Sequence, residues 1–282
     1  SDGNVAGRGI LPRTLKWTAR DFAVDPEDVL PMGEPTEEWL YGDLEAGFSE
    51  AALVLDESFV TAGLSHQCME PRTSMAYWEN GRCHVHGSSQ SQASMMPGLA
   101  SLLEIDLEDV VYIAEYCGGG FGSKINIYGE EYVAAVVSKR LGIPVKWVED
   151  RSEAFVATIH GRDIIGYVDV AAKRDGTVLG LKMQLIADIG AYNMLLTAAI
   201  PTLTQLMVSG TYAFPAIRAT VTEVFTNKTP TDAYRGAGRP EAIYFVERTM
   251  DILARELGVG PVELRGKNFI QPSQFPFPTQ MG

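Results

Sequence analysis

Cysteine is scarce in this sequence. Cys68, Cys83 and Cys117 are the three thiols among 282 residues. None forms a Cys-x-x-Cys pair, and an odd number leaves any disulfide framework incomplete. That excludes a disulfide scaffold and makes a reducing, cytoplasmic compartment the default expectation, with the periplasm left open. Long apolar runs are also missing. None approaches the ~18 residues of a membrane span, so no span is expected. Ser1-Asp2-Gly3-Asn4 carries no basic-then-apolar leader and no initiator Met, and the chain reads as the middle of something longer. Positive charge is in deficit: 23 Lys and Arg against 36 Asp and Glu give a net charge of −13. Such a surface repels phosphates, which excludes a nucleic-acid-binding role. What remains is ordinary globular composition, 46% hydrophobic and 21% charged, long enough for a substantial core.

Prolines 12, 26, 31 and 35 break any long element near the start, so residues 1–50 read as an extended connector and 51–282 as one domain. Within the connector, Asp43 is placed to cap a short helix through Phe48. Leu53, Leu55 and Phe59 alternate with Asp56 and Ser58, the pattern of a half-buried strand. Strands at Thr73–Trp78 and Cys83–Gly87 flank Asn80-Gly81, a strong hairpin signal. Helical spacing recurs over Ala93–Leu103 and over Glu130–Leu141, where Val133, Val136, Val137 and Leu141 read as the buried stripe. A short strand, Val145–Val148, follows. A hairpin turns at Lys173–Gly176, its second strand burying Leu179, Leu181, Met183, Leu185 and Ala187. Pro240 and Gly258 bracket a helix whose buried stripe runs from Ala242 to Leu257. The proline-rich tail from Gln271 reads as an extended exit. Hairpins and helices without a regular βαβ rhythm make the fold class α+β, mixed sheets with packed helices.

The chemistry-bearing stretch is Cys117-Gly118-Gly119-Gly120-Phe121-Gly122-Ser123-Lys124, which follows the buried strand candidate 110–116. Consecutive glycines cost backbone entropy, so they mark a positive φ or a close approach. A tight turn and an anion-binding loop both fit. Neither nucleotide template does: the order Gly122-Ser123-Lys124 is not that of a P-loop, and a dinucleotide fingerprint would need Gly at 123. Arg235 and Arg239, set among small residues before a helix, suit an anion or oxo group, or else pair with Asp232 and Glu241. Ser88-Ser89-Gln90 lies at a strand end and reads first as a helix cap. His84 and His86 share a strand face without a third ligand. His66 and His160 carry no signal of their own.

Taken together, 118–124 and Ala233-Tyr234-Arg235-Gly236-Ala237-Gly238-Arg239-Pro240-Glu241-Ala242 resemble the molybdopterin-binding subunit of the xanthine oxidase/aldehyde oxidase family. Met69-Glu70-Pro71, Trp147–Arg151, His160–Asp163, Ile189–Tyr192 and Lys267–Phe269 support the resemblance, which runs from about residue 40 onward. It implies the first half of that subunit and an oxidoreductase that hydroxylates an aldehyde or N-heterocycle carbon with water as oxygen source. It further implies a molybdopterin cofactor, in one form extended as the cytosine dinucleotide, with [2Fe–2S] and FAD on partner chains. By motif position, Gly119, Gly120, Phe121 and Gly122 form the loop beside the metal, Gln90 is the metal-side glutamine and Arg235 the arginine at the molybdenum site. No residue here ligates the metal directly. The general-base glutamate is expected in the second half of the subunit, so no catalytic residue is assigned. In the substrate pocket, Ile125 replaces the glutamate and Ala237 the aromatic of xanthine-type enzymes, which disfavours a purine. Gly236 stands where copper-containing carbon monoxide dehydrogenases carry cysteine. The implied partners are the second half, an iron–sulfur subunit, an FAD subunit and a small-molecule substrate. The rival readings are a noncatalytic nucleotide- or phosphate-binding module and a scaffold that has lost its cofactor.

Overall fold

The computed structural model describes residues 37–281. In chain order the elements are β1 (Glu37–Tyr41), α1 (Leu44–Ser49), β2 (Leu53–Thr61), β3 (Leu64–Ser65), β4 (Thr73–Glu79), β5 (Arg82–Gly87), α2 (Gln92–Leu103), β6 (Val110–Ile113), α3 (Gly129–Leu141), β7 (Val145–Val148), α4 (Arg151–Ala157), β8 (His160–Gly161), β9 (Ile164–Ala172), β10 (Val178–Gly190), α5 (Ala199–Leu206), β11 (Ile217–Phe225), α6 (Arg239–Leu257) and α7 (Pro261–Asn268). The fold is α+β. The chain divides into two compact units. One takes the described residues up to Gly63, Arg162–Lys228 and everything from Gly236; the other takes Leu64–Gly161 and Thr229–Arg235.

The first unit is built on a five-stranded sheet in the order β1-β11-β10-β9-β2. All its pairings are antiparallel except β10 with β11. The long hairpin β9–β10 forms at the expected turn, with Gly176 at φ +86°, and Leu181, Met183, Leu185 and Ala187 are buried as their alternation predicts, while Leu179 is half-buried at a register shift between Val178 and Gly180. Helix α6 starts with Pro240 in its first turn and stops at Gly258 in the left-handed conformation, the asymmetry that Pro and Gly impose on helix ends. It buries Phe245, Met250 and Leu253 in the same core, each contributing about 1.5–3 kcal/mol of transfer free energy. Gly166 of β9 admits the Phe245 ring, since an ideal Cβ there would sit 3.1 Å from it.

Three expectations change in this unit. Part of the supposed connector is folded beyond the expected short helix: β1 pairs with β11, while α1 is capped by Asp43 as expected, its Oδ1 accepting from the Ala46 amide at 2.9 Å. The remainder of that connector lies outside the described residues. Ser58 is buried, not solvent-facing, because both faces of β2 are covered at its middle, where it pairs with the buried Tyr167. The tail is not an exit either. Gln280 and Met281 are buried; Gln280 Nε2 donates to the carbonyls of Tyr212 and Phe214, and its own carbonyl accepts from Trp39 Nε1.

The second unit carries a four-stranded sheet, β6-β5-β4-β7, and the small pair β3–β8. The β4–β5 hairpin turns through Asn80 at φ +51° and Gly81 at φ +82°, as Asn-Gly prescribes for a two-residue loop. Helix α3 runs as expected and ends at Gly142, but its buried face differs. Ala134, Ala135, Ser138 and Glu131 face the core, whereas Val133 and Leu141 are 55% and 61% exposed. Small residues let the helix backbone approach the sheet closely, and the larger valines are displaced to its flanks.

Burial of Glu131 pushes its carboxyl up to about 7, against the hydrogen bond from the Tyr128 amide and the Arg72 charge. A carboxyl raised in the fold holds a proton that the unfolded chain has lost between its ordinary value of 4.5 and about 7. Stability therefore falls as pH rises through that window. Glu131→Gln keeps an acceptor for Tyr128 and cannot ionise. Its stability is expected to gain on that of the wild type as pH rises from 4.5 to about 7, by up to about 3 kcal/mol at pH 8, read as a higher melting temperature. Parallel pH dependences of the two melting temperatures would contradict this.

Candidate functional site

The glycine loop of the second unit is wired one peptide at a time. The Gly118 carbonyl accepts from the Glu70 amide at 3.2 Å. That of Gly120 accepts from the Ser123 amide at 3.0 Å, the Ser123 hydroxyl at 2.8 Å and the Cys68 thiol at 3.4 Å. That of Phe121 accepts from the Arg235 amide at 2.9 Å. In a planar trans peptide the N–H points opposite to the C=O. The amides of Gly119 and Phe121 are therefore turned away from these partners. Gly119, Gly120 and Phe121 are three successive donors with no hydrogen bond among the described residues. Phe121 is held at φ +54°, flanked by Gly119 at +100° and Gly122 at +114°. A non-glycine residue in that region costs about 1–2 kcal/mol and marks a constrained site.

Gln90 stands against this loop. Its backbone amide donates to the Lys124 carbonyl at 2.9 Å. Its Oε1 accepts from two loop amides, Gly122 at 2.9 Å and Lys124 at 3.2 Å. Both are donors, so the carboxamide has one permissible orientation and its NH2 end must face outward. Gly120 makes room for it: a Cβ there would lie 2.2 Å from both Cδ and Oε1 of Gln90. The Gly122 amide is thereby consumed. The amides of Gly119, Gly120 and Phe121 have no such partner among the described residues.

Two buried charges brace the loop. Lys124 is 2% exposed and donates through Nζ to the carbonyl and to Oε2 of Glu70, at 2.8 and 2.9 Å. Oε2 of Glu70 also accepts from Ser88 Oγ at 2.8 Å and from the Gly118 amide. Burial would raise the Glu70 carboxyl, but these donors overcome it and hold it below the usual range. The loop lysine is turned inward onto Glu70. Behind it, Arg72 forms a buried network with Glu149, Glu130 and Thr158. Its guanidinium lies 3.6 Å above the Tyr128 ring centroid, and Tyr128 Oη donates to the Ser123 carbonyl at 2.7 Å.

Arg235 is exposed, tied by its amide to Phe121, and its guanidinium carbon lies 5.8 Å from the Phe121 ring centroid. Glu241 is not the acid of this segment, since it is fully buried against Arg162 at 2.9 and 3.0 Å. Arg239 turns back on the carbonyls of Gly236 and Ala237. Gln90, Gly119–Gly122, Ile125 and Arg235 thus share the second unit, whereas Ala237 belongs to the first. His84 and His86 stack with Tyr77, and no cluster among the described residues could hold a metal ion through His, Cys, Asp or Glu. Sequence reasoning passed over Glu70 and Lys124 as a pair. Glu70 stood inside a quoted motif, but its partner lies 54 positions away.

A family model described as the molybdopterin cofactor-binding domain matches residues 26–269. The chain belongs to that family. The gamma subunit of the 6-hydroxypseudooxynicotine dehydrogenase complex of Paenarthrobacter nicotinovorans is 33% identical over 247 residues, covering 84% of this chain and 30% of that protein. The carbon monoxide dehydrogenase large chain of Hydrogenophaga pseudoflava is 39% identical over 201 residues, covering 69% of this chain and 25% of that one. Among solved structures, quinoline 2-oxidoreductase of Pseudomonas putida 86 superposes with a TM-score of 0.83 at 30% identity, over 89% of this chain and 33% of that one. The chain thus spans between a quarter and a third of these relatives. The loop, Gln90 and Arg235 all lie within the matched molybdopterin cofactor-binding domain, and no helix among the described residues is long and apolar enough to cross a membrane.

Proposed function

We propose that this molybdopterin cofactor-binding domain forms one wall of the active site of a molybdenum hydroxylase acting on an aldehyde or N-heterocycle. The carrying observation is the Gln90 carboxamide, locked with its donor end outward beside three successive unengaged amides. One neutral donor, a row of main-chain donors and the Arg235 cation suit an anionic, oxo-bearing group held in fixed orientation. When bound, a molybdopterin cofactor supplies two-electron oxidation with water as the oxygen source. On this reading Gln90 Nε2 and the amides of Gly119, Gly120 and Phe121 hold that group, Arg235 balances its charge and the Phe121 ring packs beside it. On this reading neither Ile125 nor Ala237 supplies the carboxylate or the ring that a purine would use. The remainder of the subunit would supply the base glutamate, with iron–sulfur and flavin chains as electron acceptors. The inward Lys124 argues against a phosphate cradle.

The test is elemental analysis of the complete protein purified with its partners. Stoichiometric molybdenum is expected. Gln90→Leu should lower that content several-fold, because it leaves the Gly122 and Lys124 amides without acceptors, each worth about 1–3 kcal/mol. An assembled wild-type complex free of molybdenum refutes the proposal, as does tight ATP or NAD binding that survives Arg235→Ala.

A further inference from the structure

His66 gave no signal in the sequence, yet its ring sits directly behind the loop with an unusual set of partners. It is 5% exposed. Nε2 lies 2.8 Å from the Ala233 carbonyl oxygen and Nδ1 lies 3.1 Å from that of Ile159. Carbonyls only accept, so a neutral imidazole can satisfy one of them and sets a lone pair against the other. We assign the single proton to the shorter contact, with Nε2 as the donor.

The atom it holds is decisive for the loop. A Cβ on Gly122 would lie 1.8 Å from the Ala233 oxygen, so this carbonyl is seated between the Gly122 backbone and the His66 ring. Two residues later the Arg235 amide donates to Phe121 at 2.9 Å. The segment is fixed upstream as well: the Asp232 amide donates to the His160 carbonyl at 2.8 Å, and the Ala233 amide donates to Asp232 Oδ1. The Tyr234 ring closes the pocket edge-on, 4.9 Å from the imidazole.

We propose that His66 is the positioning residue for Arg235, its Nε2–H gripping the Ala233 carbonyl and so setting the following residues against the cofactor loop. What Arg235 then does for a cofactor rests on the function proposed above; the grip itself does not.

The grip is also tunable by protons. Burial lowers the proton affinity of the ring, the two carbonyls pull it back up without overcoming burial, His160 opposes a second proton and Asp232 favours it. The other charges around the ring lie on a cavity of about 20 Å3, lined by Glu70, Arg72, Lys124, Glu149 and Arg151. They are matched among themselves: Glu70 with Lys124, Arg72 with Glu149, and Arg151 with the carbonyls of Cys68 and Met69. At neutral pH one bond holds, and as pH falls the second proton lets Nδ1 donate to the Ile159 carbonyl as well, anchoring the ring that grips Ala233.

The experiment is hydrogen-exchange mass spectrometry of the full-length protein, following the peptide that carries the Arg235 amide. Gln places a donor where Nε2 was, whereas Asn is too short to reach Ala233. His66→Asn should accelerate exchange of that amide by about tenfold, the equivalent of one lost hydrogen bond, while His66→Gln stays near wild type. After correction for intrinsic rates, wild-type protection should rise on acidification and that of His66→Gln should not. Wild-type protection in His66→Asn, exchange in His66→Gln as fast as in His66→Asn, or a pH response shared by wild type and His66→Gln overturns the proposal. The readout involves no molybdenum, so it fails or succeeds independently of the functional reading.

Discussion

Arg72→Met is expected to destabilise the second unit by about 3–5 kcal/mol, the usual cost of leaving one member of a buried ion pair behind. Side-chain exposures of 5% for Arg72 and 1% for Glu149 put the pair out of reach of water. The guanidinium satisfies Glu149 at 2.7 and 3.1 Å, Glu130 at 3.2 and 3.3 Å and Thr158 at 2.9 Å. Methionine fills similar space but donates nothing. Glu149 would keep two donors, the backbone amide of residue 72 at 2.9 Å and Thr158 Oγ1 at 2.8 Å, which softens the loss without balancing the charge. Adding Glu149→Gln removes that charge, so the double variant should recover part of the stability lost by Arg72→Met. Urea unfolding measures both. A loss below about 1 kcal/mol for Arg72→Met would show that the network is solvated or dispensable. The damage should also reach the loop, because Arg72 follows Glu70 by two positions and stacks on the tyrosine that holds the Ser123 carbonyl.

Gly122→Ala is expected to empty the site. At φ +114° an alanine is strained even before its neighbours are counted, at about 1–2 kcal/mol. The methyl group would then sit 1.8 Å from a backbone oxygen, that of Ala233, which cannot rotate aside as a side chain could. Overpacking adds about 1–3 kcal/mol. Displacing Ala233 loosens His66 on one side and the Arg235–Phe121 bond on the other. Molybdenum content of the assembled protein should fall to background, accompanied by a lower melting temperature. Gly129→Ala is the control: nothing lies within 4 Å of its ideal Cβ, and at the start of α3 the change should be neutral or slightly stabilising. A fully loaded Gly122→Ala protein would mean that the loop relaxes without cost, and the close-packing argument would fall.

The contrast between these two regions shows what a one-dimensional reading could and could not reach. Local chemistry was readable. Asn80-Gly81 made its turn, Pro240 and Gly258 bounded their helix, Asp43 capped α1, and the glycine loop carried the positive φ values that its composition demanded. Gln90 and Arg235, which a motif alone had placed near the loop, are joined to it by main-chain hydrogen bonds. The buried face of α3 was not readable, because counting large apolar residues misses a helix that packs through Ala134, Ala135 and Ser138. Nor was the role of His66, whose partners are two carbonyl oxygens that every residue type possesses. The Glu70–Lys124 brace fell between these cases, since both residues were visible but nothing local linked them.

The loop leaves successive main-chain donors unengaged, and that divides its responses in two. An amide donor neither ionises nor oxidises under physiological conditions, so the face built by Gly119, Gly120 and Phe121 has constant polarity whatever the surrounding acidity. Two titrating groups stand in its support: Glu70 with its carboxyl held low and His66 with its ring held low. Acid should therefore act on this site mechanically, by tightening or slackening the support. The strength of each individual contact at the front would stay the same while its alignment changed.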